Sequence, residues 1–155
     1  MITRIKKKEI IDSAREADCA DSTGAYSHQP KFRMLGNWGA MWYVEHLGMT
    51  IVSQKNEPPY MTFLADDSKR VMIEIYKNPA DEVPDYRNMN PLTVHLAFVS
   101  EDPASDKQRL LEAGATLESD DHLSDGSHLV MLRDPWGVAL QLCKRGKPML
   151  ADREG

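Results

Sequence analysis

The sequence predicts an α+β fold in which one βαβββ unit is used twice. Three observations carry this. β-rich and helical runs occur in the same order in both halves, a constant offset relates the halves, and 155 residues with 41% hydrophobic content suffice for one packed core.

Residues 1–27 stand apart. A charged stretch from Arg4 to Glu16 leads into the small, polar run Cys19-Ala20-Asp21-Ser22-Thr23-Gly24. The apolar face of this segment is thin, so it reads as a tail, a helix laid on the surface or a partner-binding arm. His28 to Leu35 is read as the first strand, and Pro30, which cannot donate to a ladder, puts it at an edge or a bulge.

Asn37 as cap, Met41, Val44 and Leu47 at helical spacing, and Gly48 as terminator predict a helix over 38–47. Thr50-Ile51-Val52, Tyr60 to Leu64 and Val71 to Tyr76 are β-rich. They are separated by the turn-formers Asn56-Glu57-Pro58-Pro59 and Asp66-Asp67-Ser68-Lys69, which predicts three hairpin-linked strands. Pro79, Pro84 and Pro91 make 78–92 a linker between modules 28–77 and 93–145, and 146–155 a second tail. The order then repeats: a strand from Thr93 to Val99 and a helix from Pro103 to Ala113, capped by Asp102 and closed by Gly114. Strands follow at Ala115 to Glu118, Leu129 to Leu132 and Val138 to Cys143.

The offset is 67. It carries Val71 onto Val138, Ile73 onto Leu140, Glu74 onto Gln141, Ile75 onto Leu142 and Lys77 onto Lys144, and His28 onto His95. His28 to Glu74 and His95 to Gln141 therefore have the same separation, 74 − 28 = 141 − 95 = 46.

Composition narrows the function. Nineteen Lys and Arg against 24 Asp and Glu give a formal charge of −5, no footprint for a phosphate backbone, so nucleic acid is not the expected partner. No apolar run approaches the ~20 residues that span a bilayer, and Lys6-Lys7-Lys8 leads into Glu9-Ile10-Ile11-Asp12 rather than an apolar signal core; the expectation is a soluble, cytoplasmic protein without a membrane partner. Cys19 and Cys143 lack metal-type spacing and read as plain thiols. Gly-rich phosphate loops, nucleophile elbows and Walker-type lysines are absent from the sequence.

Glu74 and Gln141 each interrupt an apolar strand, as does His95 in Val94-His95-Leu96-Ala97-Phe98. A carboxylate turned inward without a partner costs several kcal/mol, so such a strand supplies a cation or dense hydrogen bonding, or else alternation turns the group to solvent. Two imidazoles, a carboxylate and an amide oxygen form a mixed N/O set suited to Zn, Ni, Mn, Co or Fe(II), and a divalent metal ion is the economical explanation. His46 is expected to complement a helix C-terminus, His122 and His128 to lie in a polar loop, and Trp38 and Trp42 to serve the core or a dimer surface.

The doubled unit, with Trp42-Tyr43-Val44-Glu45-His46-Leu47-Gly48-Met49 and Asp134-Pro135-Trp136-Gly137-Val138-Ala139-Leu140-Gln141-Leu142, resembles the vicinal oxygen chelate superfamily of glyoxalases, bleomycin resistance proteins and extradiol dioxygenases. The resemblance implies a cupped, barrel-like mixed sheet, a homodimer, and His28, Glu74, His95 and Gln141 as ligands of one divalent metal. It implies a lyase or isomerase acting on a small oxygen-bearing substrate, with Glu74 also accepting a proton. This chain departs from the pattern in one place. The amide Gln141 stands where extradiol dioxygenases and glyoxalase I carry a carboxylate, which lowers the rank of a dioxygenase and means that an isomerase needs Glu74 or another base of the chain. Methylmalonyl-CoA epimerase has a similar ligand set with Gln and Glu exchanged. An Fe(II) extradiol-type dioxygenase and a non-catalytic small-molecule binding or resistance protein are the alternatives.

Overall fold

The computed structural model describes residues 2–4, 38–58, 60–75 and 83–147. In chain order they form β1 (Ile2–Arg4), α1 (Trp38–Leu47), β2 (Thr50–Gln54), β3 (Thr62–Ala65), β4 (Met72–Ile75), β5 (Leu96–Val99), α2 (Pro103–Glu112), β6 (Thr116–His122), β7 (His128–Arg133) and β8 (Ala139–Lys144). The fold is α+β, and the described strands make two sheets rather than a closed barrel: a five-stranded sheet in the order β1-β5-β8-β7-β6 and a three-stranded sheet, β2-β3-β4. β5 through β8 with α2 realise one complete βαβββ unit. α1 through β4 supply the same αβββ order, and the strand expected from His28 to Leu35 lies outside the described residues.

Both helices stop where their sequence says. Gly48 adopts φ +69°, and Gly114 adopts φ +91°, left-handed values open to glycine at little cost. At the end of α2, Gly114 N–H donates to Leu111 O at 3.0 Å and Ala115 N–H to Leu110 O at 3.0 Å, the paired bonds of a Schellman closure. At its start the Asp102 carboxylate accepts from Ser105 N–H at 3.1 Å ahead of Pro103.

Strand boundaries differ from the sequence reading at both ends of the chain. β1 was not anticipated; it pairs in parallel with β5, Thr3 opposite Phe98, and is too short to show a pattern of its own. β6 continues past Glu118 to His122 although every residue in it is exposed, because it pairs residue by residue with the apolar β7. The polar stretch expected as a loop is therefore strand at both ends, with 123–127 forming the turn.

The core lies between the sheets and the helices. Phe98, Leu110, Val130, Leu132, Leu140 and Leu142 close it from one module, and Ala40, Tyr43, Leu47 and Leu64 from the other. α1 fastens the modules together. Trp42 Nε1–H donates to Ala113 O at 2.9 Å, Arg109 Nη1 donates to His46 O at 2.6 Å, and Tyr43 O–H donates to Asp134 Oδ2 at 2.8 Å. Asp134 also shapes the turn into β8, its Oδ1 accepting from Trp136 N–H at 2.9 Å and Val138 N–H at 2.8 Å.

Gly137, at φ +96°, completes that turn; a Cβ there would stand 2.5 Å from Arg87 Cγ and 3.0 Å from Arg87 N. Gly137→Ala is expected to cost about 1–2 kcal/mol from the left-handed backbone alone, read as a lower urea midpoint at unchanged slope. Arg133, beside it, is buried and spans the linker. Its Nε donates to Glu118 Oε1 at 2.7 Å, Nη1 to Tyr86 O at 2.6 Å and Gly137 O at 3.1 Å, and Nη2 to Met89 O at 2.8 Å.

Candidate functional site

Strand alternation decides which side chains leave the core. On β8, Leu140 and Leu142 are fully buried, so Gln141 between them points to the opposite face. β5 runs parallel to β8 with Leu96 opposite Leu140 and Ala97 opposite Gln141. His95 directly precedes β5, and alternation puts it on the face of Ala97 and Gln141. The structure thus brings His95 and Gln141 to one face of neighbouring strands.

The state of the His95 ring follows from its partner. Nδ1 lies 3.0 Å from Pro91 O, and a carbonyl only accepts, so Nδ1 carries a proton and, in the neutral ring, the lone pair sits on Nε2. A ring fixed in this way by a backbone carbonyl has the tautomer and orientation that metal-binding imidazoles require. Among the described residues, Gln141 Oε1 accepts only from Cys143 Sγ, at 3.2 Å, a weak donor that an ion would displace readily. Burial pushes the Cys143 thiol up from its ordinary value, so it stays protonated and serves as that donor.

Glu74 stands on β4 in the other sheet. Its neighbours Ile73 and Ile75 pack on the core, opposite Leu64 and Thr62, so Glu74 opposite Phe63 faces away from the core and is exposed. Among the described residues it makes no hydrogen bond or ion pair. His28 lies outside the described residues. His95 and Gln141 share one face and Glu74 stands on the other sheet; an imidazole nitrogen, an amide oxygen and a carboxylate are donor types that suit a divalent cation.

The other candidates separate clearly. His46 sits in the last turn of α1 with its ring 5.3 Å from Trp42; burial lowers its pKa and its backbone carbonyl is held by Arg109, a structural role. Trp42 is core, edge-on to Tyr43 at 5.4 Å and to Trp136 at 6.3 Å. His122 and His128 are cross-strand partners on β6 and β7, not loop residues. The sequence carried a usable signal for that pairing. Ser124-Asp125-Gly126 is a hairpin turn between two histidines placed symmetrically about it.

A family model described as a glyoxalase-like domain matches residues 38–143. A glyoxalase family protein from Bacillus cereus is similar in structure, with 17% identity, TM-score 0.56, and 68% of this chain and 84% of that chain covered. A genomically encoded fosfomycin resistance protein from Listeria monocytogenes has 14% identity, TM-score 0.55 and coverage of 73% and 83%. A mutant glyoxalase I from Zea mays has 17% identity, TM-score 0.54 and coverage of 70% and 40%. A comparison with curated proteins finds no match.

Proposed function

Because the chain belongs to the glyoxalase-like family, we propose that it is a metal-dependent lyase or isomerase acting on a small oxygen-bearing substrate. In this reading His28, Glu74, His95 and Gln141 hold one divalent ion, Zn, Ni, Mn or Fe(II). The observation that carries it is the His95 ring, fixed through Nδ1 by Pro91 O, with Nε2 unengaged among the described residues, on the face shared with Gln141.

When bound, the ion supplies Lewis-acid polarisation of substrate oxygens. The rest of the chemistry belongs to the chain. Glu74 accepts a proton on a carboxylate oxygen and returns it, because Gln141 is an amide and no base near neutral pH. Pro91 fixes the tautomer of His95 and thereby the direction of its lone pair. An oxygen-rich ligand is supported by the Listeria fosfomycin resistance protein, a mutant of which was solved with Mn(II) and 1S,2S-dihydroxypropylphosphonic acid at 12% identity to this chain. The same reading has the protein act as a homodimer in the cytoplasm, the dimer being checked by light scattering. Among the described residues, no helix is long and apolar enough to cross a membrane.

Plasma mass spectrometry of the dialysed protein beside a His95→Ala, Glu74→Ala double variant tests the metal. The expected result is a metal content lower by one equivalent per chain in the variant, with turnover of small oxygen-bearing substrates lost alongside. Equal metal content in the two proteins, after reconstitution with each ion in turn, overturns the reading.

A further inference from the structure

The β6–β7 hairpin holds a second set of ligand-type groups on the other side of the same sheet. His122 pairs with His128, Asp120 with Val130, and His128 with Lys144, while Val130 pairs with the fully buried Leu142. Asp120, His122 and His128 therefore share the face of Val130 and Leu142, which α2 covers, and Lys107 of α2 donates to Asp120 Oδ2 from that side. Gln141 and His95 are on the opposite face.

The ligand atoms of Asp120, His122 and His128 all lie within 4.8 Å of one another. His128 Nε2 is 2.7 Å from Asp120 Oδ1, and His122 Nε2 is 3.9 Å from the same oxygen. The two imidazoles are stacked, with centroids 3.9 Å apart and planes inclined by 22°. A tetrahedral ion with bonds of ~2.0–2.1 Å sets its ligand atoms ~3.3 Å apart, between those two separations, so small ring rotations suffice to admit it. One Asp120 oxygen is shared unequally between the two Nε2 edges, and both edges converge on it.

The hairpin keeps these groups in register. Leu123 N–H donates to Ser127 O at 2.9 Å, so by ladder alternation the next pair, His122 with His128, is of the non-hydrogen-bonded kind whose side chains lie closest. Gly126, at φ +86°, donates to Leu123 O at 3.0 Å, and Ser127 N–H donates to Asp125 Oδ1 at 2.9 Å. Gly146 N–H then ties the turn down through Ser127 Oγ at 3.0 Å, and a Cβ at Gly146 would come within 2.0 Å of Asp125 O, so only glycine lets this segment approach.

We propose that Asp120, His122 and His128 form a second divalent transition-metal site, of zinc type, on the helix-covered face of the five-stranded sheet. Two imidazoles and one carboxylate are the ligands such borderline ions select. The His122 side chain is 75% exposed, against 11% for His128 and 24% for Asp120, so the fourth position opens to water. Lys107 holds the carboxylate in orientation through its other oxygen.

The test uses the full chain carrying His95→Ala and Glu74→Ala, which removes the first set of ligands. Calorimetry with ZnCl₂ is expected to show one ion bound per chain, and Co²⁺ a visible d–d band. Adding His122→Ala lowers the affinity at least ~10-fold and removes the band; the residue is exposed, and circular dichroism verifies the fold. In the otherwise natural chain, His122→Ala alone is expected to lower the bound zinc by one equivalent. Absence of Zn²⁺ and Co²⁺ binding in the double variant, or binding that His122→Ala leaves unchanged, overturns the proposal, and neither result bears on the site of His95 and Glu74.

Discussion

Arg133→Ala is expected to destabilise the protein by about 2–4 kcal/mol, read as a fall in the urea midpoint. The side chain is buried and donates four hydrogen bonds, to Glu118 and to the carbonyls of Tyr86, Met89 and Gly137. Removing it leaves three carbonyl oxygens and a carboxylate without their donor, and an orphaned buried acceptor forfeits about 1–3 kcal/mol, more than a made bond contributes. The loss has a direction as well as a size. Tyr86 and Met89 belong to the segment between the two modules, so protease cleavage within 83–95 should rise together with the loss of stability. Arg133→Lys should recover little, since an ammonium cannot reproduce the planar fork that reaches four separate oxygens. A midpoint for Arg133→Ala equal to that of the natural chain would show that the linker is held by something else.

Asp134→Ala should cost about 3 kcal/mol, because it strips Trp136 N–H and Val138 N–H of their acceptor and leaves the buried Tyr43 hydroxyl unpaired. Asp134→Asn should be far milder, since the amide oxygen keeps the turn and Tyr43 can accept from the amide N–H. The two acids of this pair also fix a pH signature. Burial raises the Asp134 carboxyl above its ordinary value of 3.8 against the opposing pull of its hydrogen bonds, and burial with the nearby Asp134 charge raises Tyr43. A carboxyl whose folded pKa lies above its unfolded one binds its proton more tightly in the native state. Its ionisation therefore costs stability at neutral pH, and the cost is relieved as pH falls through the folded value toward 3.8. Relative to Asp134→Asn, the natural chain should gain stability on acidification across that window. A stability difference that stays flat from neutrality to pH 4 would contradict the sign.

The helices were legible because their signals are local. α1 begins at Trp38 and ends at Leu47 as the pattern and Gly48 require, and Asp102, Pro103 and Gly114 fix α2 to within a residue. The duplication was also legible, although its offset drifts. The helices start at 38 and 103, 65 apart, the next strands at 50 and 116, 66 apart, and the last strands at 72 and 139, 67 apart. What remained hidden depends on partners distant in sequence. Arg133 and the Tyr43–Asp134 bond have no local signature, since the groups that satisfy them are brought close only by the fold. β6 was cut short because Ser119, Asp120 and Asp121 have poor strand propensity, and pairing with β7 overrides it. Glu74, His95 and Gln141 were visible as polar interruptions of apolar strands; that His95 and Gln141 share a face follows only from the β5–β8 register.

The three bonds by which α1 joins the modules have a consequence for synthesis. Their partners are 71, 91 and 63 residues apart along the chain. At ~5–20 residues per second, Tyr43 is synthesised about 5–20 s before Asp134 exists to receive it. During that interval the apolar surface of α1 has no native cover from the second module. A nascent chain stalled before residue 134 should therefore bind holdase chaperones, and release them once the last hairpin has emerged.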